Sequence, residues 1–124
     1  MTALKRAPAG SLERAVLTVL WDDGGWLPPG DVHARLAPTH PVGLVTVTTV
    51  LVRLWRKGRL QRNKAGRSYS YRALQTREQF VAERMEEILA VAADRPTALA
   101  HFATGLSDED KAELQRQIGD GGLP

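Results

Sequence analysis

The sequence predicts a mainly α-helical protein in which three helices and a small antiparallel hairpin precede a helical C-terminal region. Three observations carry this. Apolar residues recur at helical spacing in three segments before residue 58. Two short runs of alternating character then flank a glycine-containing turn between residues 60 and 72. Beyond them the charge reverses: residues 1–72 hold 12 Lys and Arg against 4 Asp and Glu, and residues 73–124 hold 5 against 10.

Residues 1–10 read as a flexible arm. Ser11 suits an N-cap, and Glu13 lies in the first turn, where the helix dipole favours an anion. Leu12, Ala15, Val16, Val19 and Leu20 then follow i, i+3, i+4, i+7, i+8 spacing, and Gly24-Gly25 closes the helix. Trp26-Leu27 reads as a very short strand. Pro29 fits the first position of a second helix, with Val32 and Leu36 on one face. Two prolines within Ala37–Pro41 stop it.

A third helix is expected from Leu44 to Lys57, with Gly43 as its cap. Val47, Val50, Leu51 and Leu54 face inward, and Arg56-Lys57-Gly58 gives the cationic end and terminal glycine of a helix. Leu60–Lys64 and Ser68–Arg72 read as two strands joined by Ala65-Gly66-Arg67, with Tyr69 and Tyr71 alternating against polar neighbours. Tyr69 and Tyr71 read as packing residues that hold the hairpin to the helices.

Thr76 and Gln79 form a capping box at the start of a helix expected to reach Pro96. Val81, Met85, Ile88, Leu89 and Ala92, with Phe80 beside them, form its apolar stripe. Thr97 is expected to cap a short helix ended by Gly105. Ser107 is expected to cap a last one, with Leu114 and Ile118 on one face. Residues 119–124 read as a flexible tail.

Helix, short strand, helix, helix, strand, turn, strand is the order of a winged helix-turn-helix, here residues 11–74. In such a fold the third helix enters the major groove of duplex DNA. Its expected outward residues are Thr46, Thr48, Thr49, Val52, Arg53 and Arg56. Threonine offers a hydroxyl for base edges and a methyl for the thymine C5-methyl, which favours A·T pairs. Arg53, Arg56 and Lys57 are expected on phosphates, with Lys64 and Arg67 from the wing. Eight basic residues and no acidic one lie between Arg53 and Arg72, a one-signed block that suits a polyanion. Simple solvent exposure is the competing reading for each threonine and each cation.

One recognition helix reads few base pairs, so pairing of subunits on two half-sites is expected. The stripe on the helix from residue 76 has too little chain after it to be covered within one subunit. Residues 75–118 are therefore read as a helical dimerisation region. Phe80, Val81, Met85, Ile88, Leu89, Ala92, Leu114 and Ile118 are the interface candidates. The competing reading folds these helices back on their own wing.

Composition excludes several classes. The chain has no cysteine, hence no disulfide, thiolate metal site or cysteine nucleophile. His33, His40 and His101 lack metal or nucleophile spacing, and no P-loop, GxSxG or HExxH pattern occurs, so neither an enzyme, a metal nor a cofactor is expected. No apolar run approaches the length of a membrane span, and the N-terminus lacks a secretory h-region, so a cytoplasmic protein without membrane insertion is expected. A winged-helix module that binds protein or RNA without operator specificity is the alternative function. A DNA-binding switch set by a small molecule is a third.

The stretches LERAVLTVLWDDGGWLPPGDVHARL and VTVTTVLVRLWRKGRLQRNKAGRSYSYRAL resemble the penicillinase-repressor (BlaI/MecI) family of transcriptional regulators. The resemblance covers about residues 11–118. It is strongest in Thr46-Val47-x-Thr49-Val50-Leu51-x-Arg53-Leu54, in Lys57-Gly58 and in Arg67-x-Tyr69-x-Tyr71. It implies a homodimeric repressor on palindromic operators with TACA/TGTA-like half-sites, controlling β-lactam resistance or related genes. It also implies a membrane sensor or regulatory protease as partner, with cleavage in the C-terminal region. The matching place is His101-Phe102, where the asparagine of well-known members is absent. Copper-responsive relatives use C-terminal cysteines, which this chain lacks. Where some members carry base-contacting lysine or arginine, Val45 and Thr48 stand here, a departure that bears on operator sequence.

Overall fold

A computed structural model of the chain describes residues 10–119. The expected flexible arm and tail lie outside them, except for Gly10 and Gly119. The chain divides into two compact units, Met1–Phe80 and Val81–Pro124.

The first unit opens with α1 (Ser11–Asp23), α2 (Pro29–Leu36) and α3 (Leu44–Arg56). Ser11 does not cap α1. The Gly10 carbonyl already accepts from Arg14 N at 3.0 Å, so Gly10 is the cap and Ser11 the first helical residue. Pro29 begins α2 as expected. The segment between α2 and α3 is tied back by His33, whose Nε2 lies 2.9 Å from the Val42 carbonyl. A carbonyl only accepts, so this nitrogen carries the hydrogen.

Val16, Leu17 and Leu20 from α1, Val32 and Leu36 from α2, and Val47, Val50, Leu51 and Leu54 from α3 form the core. The stripe read for α1 omitted Leu17, which is buried, while Leu12, Ala15 and Val19 are only partly covered. The reason is geometric: α1 packs on α2, α3 and the hairpin together, so its covered face is broader than one stripe.

Gly58 ends α3 with φ +79°, a left-handed turn that lets the chain reverse into β1 (Leu60–Ala65). β1 pairs antiparallel with β2 (Ser68–Ala73) from Leu60 opposite Ala73 to Ala65 opposite Ser68. The turn is therefore two residues, Gly66-Arg67, rather than three, and Ala65 belongs to the ladder. Gly66 has φ +64° and no described non-glycine residue has positive φ, the pattern of a type II′ hairpin turn. Leu27 adds a third, single-residue strand: it exchanges backbone hydrogen bonds with Tyr71 at 2.8 and 2.9 Å. Leu27, Leu60, Tyr71 and Phe80 close the core.

The first turn of α4 (Arg77–Leu89) still belongs to this unit. The capping box is formed: Gln79 N donates to Thr76 Oγ1 at 3.0 Å, and Thr76 N to Gln79 Oε1 at 2.9 Å. Trp21 Nε1 donates to the Gln75 carbonyl at 2.9 Å, and the Trp21 and Phe80 rings lie 5.5 Å apart.

In the second unit the remainder of α4 is followed by α5 (Arg95–Gly105) and α6 (Asp108–Gly119). The helix expected to run to Pro96 stops at Leu89, and Pro96 opens the next helix instead of ending the last. Asp94 is the cap of α5 in place of Thr97: its carboxylate accepts from Thr97 N at 3.1 Å and from Thr97 Oγ1 at 2.7 Å. Proline fits this first turn because its missing N–H has no partner to lose there. Ser107 caps α6 as expected, accepting from Asp110 N at 3.0 Å.

Candidate nucleic-acid interface

Helix α3 is built with one apolar and one open face. With Val47, Val50, Leu51 and Leu54 buried, Thr46, Thr49, Arg53 and Arg56 are exposed, and Thr48 and Val52 are half-buried. Thr48, Thr49, Val52, Arg53, Arg56 and Lys57 line one shallow concavity of about 450 Å³ along the helix. Val45 is 80% exposed on the same side, one turn before Thr49. The outward list from the sequence began at Thr46, although the period of the helix already placed Val45 on that side.

The cations differ in their freedom. Arg53 and Arg56 stand exposed at the rim of the concavity. Lys57 is engaged: its Nζ lies 3.1 Å from Glu13 Oε2 on α1. At the hairpin tip Lys64, Ala65, Gly66 and Arg67 are all exposed, with Lys64 Nζ 5.7 Å from the Tyr69 ring centroid. Arg62, not singled out from the sequence as a site residue, stands over both the Trp55 ring of α3 and the Tyr69 ring of β2. The three-residue turn read from the sequence sets Arg62 opposite Ser70, and only the two-residue turn of the structure sets it opposite Tyr71, on the Tyr69 face.

The carboxylates of lowered pKa lie elsewhere. Arg35 and the Gly25 N–H hold Asp23 below its ordinary value, Thr97 does so for Asp94, and Arg116 and Gln117 for Glu113. Among the described residues no group of three or more His, Cys, Asp or Glu could hold a metal ion.

The expected interface residues fall in three places. Phe80 is corrected: at 5% exposure it is part of the first unit's core, packed on Trp21 and under the Arg59 guanidinium, and has no open face to offer. Met85, Ile88, Leu89 and Ala92 line an open groove of about 400 Å³ with Leu99 and Phe102. Leu114 and Ile118 line a second, of about 350 Å³, with Ala103 and Leu106. Val81 is exposed. No described residue after Phe80 is buried. His101 and Phe102 lie in the interior of α5.

The family model for the penicillinase repressor matches residues 9–120. The chain is similar to the transcriptional regulator BlaI of Mycobacterium tuberculosis, in both strains CDC 1551 and H37Rv. Identity is 32% over 114 residues, 90% of this chain and 83% of the relative. These are regulators, not enzymes. Among solved structures it is similar to the DNA-binding domain of the repressor BlaI in solution, at 28% identity over 60% of this chain and 90% of that one, with a TM-score of 0.48. It is also similar to a MarR family protein from Bacillus stearothermophilus, at 21% identity over 92% and 73%, with a TM-score of 0.48. A helix-turn-helix with a basic wing, matched over nearly its whole length to one family of regulators, makes this chain a member of the penicillinase repressor family.

Proposed function

We propose that the chain is a transcriptional repressor that binds palindromic operators in duplex DNA as a homodimer, in the cytoplasm, where it controls β-lactam resistance or related genes. The observation that carries the reading is the open face of α3: three threonines and two arginines on one helix side, next to a hairpin whose exposed tip is also basic. Threonines would meet base edges, while Arg53, Arg56, Lys64 and Arg67 would meet phosphates and set register.

Pairing of subunits is supported by the second unit. Its helices leave Met85, Ile88, Leu99 and Phe102 on an open groove and bury none of them. Apolar side chains arranged this way call for a cover, and a second copy supplies one while presenting two recognition helices. Family membership supports a regulatory protease or sensor as a further partner. The bond between His101 and Phe102 sits inside α5, so cutting it requires that turn of helix to open.

Selection of bound sequences from random duplex DNA tests the proposal. Enrichment of two-fold symmetric sites, with half-sites about one or two helical turns apart, is expected. Failure to enrich any duplex at low salt overturns it and favours a protein- or RNA-binding module.

A further inference from the structure

Beside the exposed cations of the interface, Arg62 is turned inward. The Arg62 guanidinium carbon lies 3.6 Å from the Trp55 ring centroid and 4.0 Å from that of Tyr69. Trp55 belongs to α3, next to Arg56, and Tyr69 belongs to β2. The guanidinium therefore joins the helix to the hairpin through two aromatic rings. Arg62 and Trp55 are both half-buried.

The hairpin needs such a joint. Its root is fixed by Leu60, Tyr71 and the Leu27 bridge. From Asn63 to Ser68 every residue is exposed, so the tip is held only by its own two-stranded ladder. A two-stranded ribbon without packing is marginally stable in water. Arg62 stands on Trp55 of α3 immediately before this exposed stretch begins. The ladder sets Arg62 opposite Tyr71 and Lys64 opposite Tyr69, which places both cations on the Tyr69 face.

We propose that Arg62 is a positioning residue for DNA binding: stacked between Trp55 and Tyr69, it fixes the wing tip bearing Lys64 and Arg67 against the end of α3 bearing Arg53 and Arg56. The inference rests on the DNA-binding reading above. Arg62 itself stays on the rings and leaves the phosphates to the tip. The planar guanidinium suits this role, because it stacks on aromatic faces and is weakly hydrated, whereas a lysine ammonium is a compact, strongly hydrated charge.

The test compares Arg62→Lys and Arg62→Met in the full chain, with Tyr69→Leu as a second way to open the slot. In the free protein, amide hydrogen exchange at Asn63–Arg67 should rise in all three variants while the core amides of α3 stay protected. On an operator duplex, Arg62→Lys should bind as poorly as Arg62→Met, about tenfold below wild type, the size expected for two cation–π contacts. The double substitution Lys64→Ala, Arg67→Ala should cost much less in the Arg62→Met background than in wild type, because the tip is already misplaced. Wild-type binding by Arg62→Lys, or full additivity with the tip substitutions, would identify a direct phosphate contact and overturn the proposal. A wild-type protein that binds no duplex sinks the DNA-binding reading alone. The hairpin exchange then still decides whether Arg62 holds the wing.

Discussion

The hydroxyls of Thr48 and Thr49 each donate to a carbonyl one turn back in α3, Leu44 O and Val45 O, at 2.9 Å. Their single hydrogens are spent within the helix, which leaves the oxygen lone pairs and the methyl for a partner. Such a side chain can accept from adenine N6–H or cytosine N4–H and pack on the thymine methyl, but it cannot donate to guanine without breaking its own bond. Thr49→Val keeps shape and methyl and removes the acceptor. It should weaken preference at one base position by about 1 kcal/mol, read from competition between operator variants. Arg53→Ala and Arg56→Ala should instead lower affinity for all duplexes alike. Each should also make the log–log salt dependence shallower by about one, as one phosphate fewer is neutralised. Lys57→Ala should do less, since Lys57 is already paired with Glu13. The sequence shows that these threonines and arginines share an outward face. It cannot show that Lys57 is taken, because its partner stands 44 residues away.

Helix α4 changes environment along its length. Its first turn is anchored in the first unit: Phe80 packs on Trp21, Arg77 pairs with Asp22 at 2.9 Å, and the Trp21 indole bonds to the Gln75 carbonyl. After Phe80 none of its apolar residues is fully buried: Val81, Met85 and Ile88 are exposed and Leu89 is half-buried. Phe80→Ala should therefore destabilise the first unit by about 3–5 kcal/mol in denaturant melts. The capping box and helical period were legible in the sequence. The handover from core to open face was not, because periodicity reports which residues align on a helix but not what lies opposite them. The break after Leu89 was missed for a related reason: Pro96 marks a helix start as readily as an end, and only the Asp94–Thr97 bonds decide. Asp94 sits below its ordinary 3.8 because Thr97 donates to the carboxylate. A lowered carboxyl stabilises the folded form above pH 3.8, and that contribution fades as the pH falls through the folded value. The stability difference between wild type and Asp94→Ala should hold constant from about pH 7 to pH 5 and shrink below about pH 4 in urea titrations.

Across the whole chain, charge and burial are divided between the units. The first carries the basic surface and every buried residue among those described, and the second carries the acidic excess and buries nothing among its described residues. Helices whose side chains are half-buried at most gain little to offset the entropy of ordering them. Met85, 52% exposed in the α4–α5 groove, tests what covers them. Met85→Asp should turn a two-chain species into single chains by sedimentation, and persistent pairs would place the interface elsewhere. The asymmetry was visible in the sequence as a change of sign after Arg72, but the absence of buried side chains required coordinates. Among the described residues no helix is long and apolar enough to cross a membrane. The open groove also has a consequence for dosage. If a second copy is its cover, the DNA-competent species grows with the square of protein abundance wherever single chains predominate. Halving synthesis would then deplete it about fourfold by mass action alone. A modest fall in supply would suffice to lift repression steeply, with no need for a ligand to alter the protein itself.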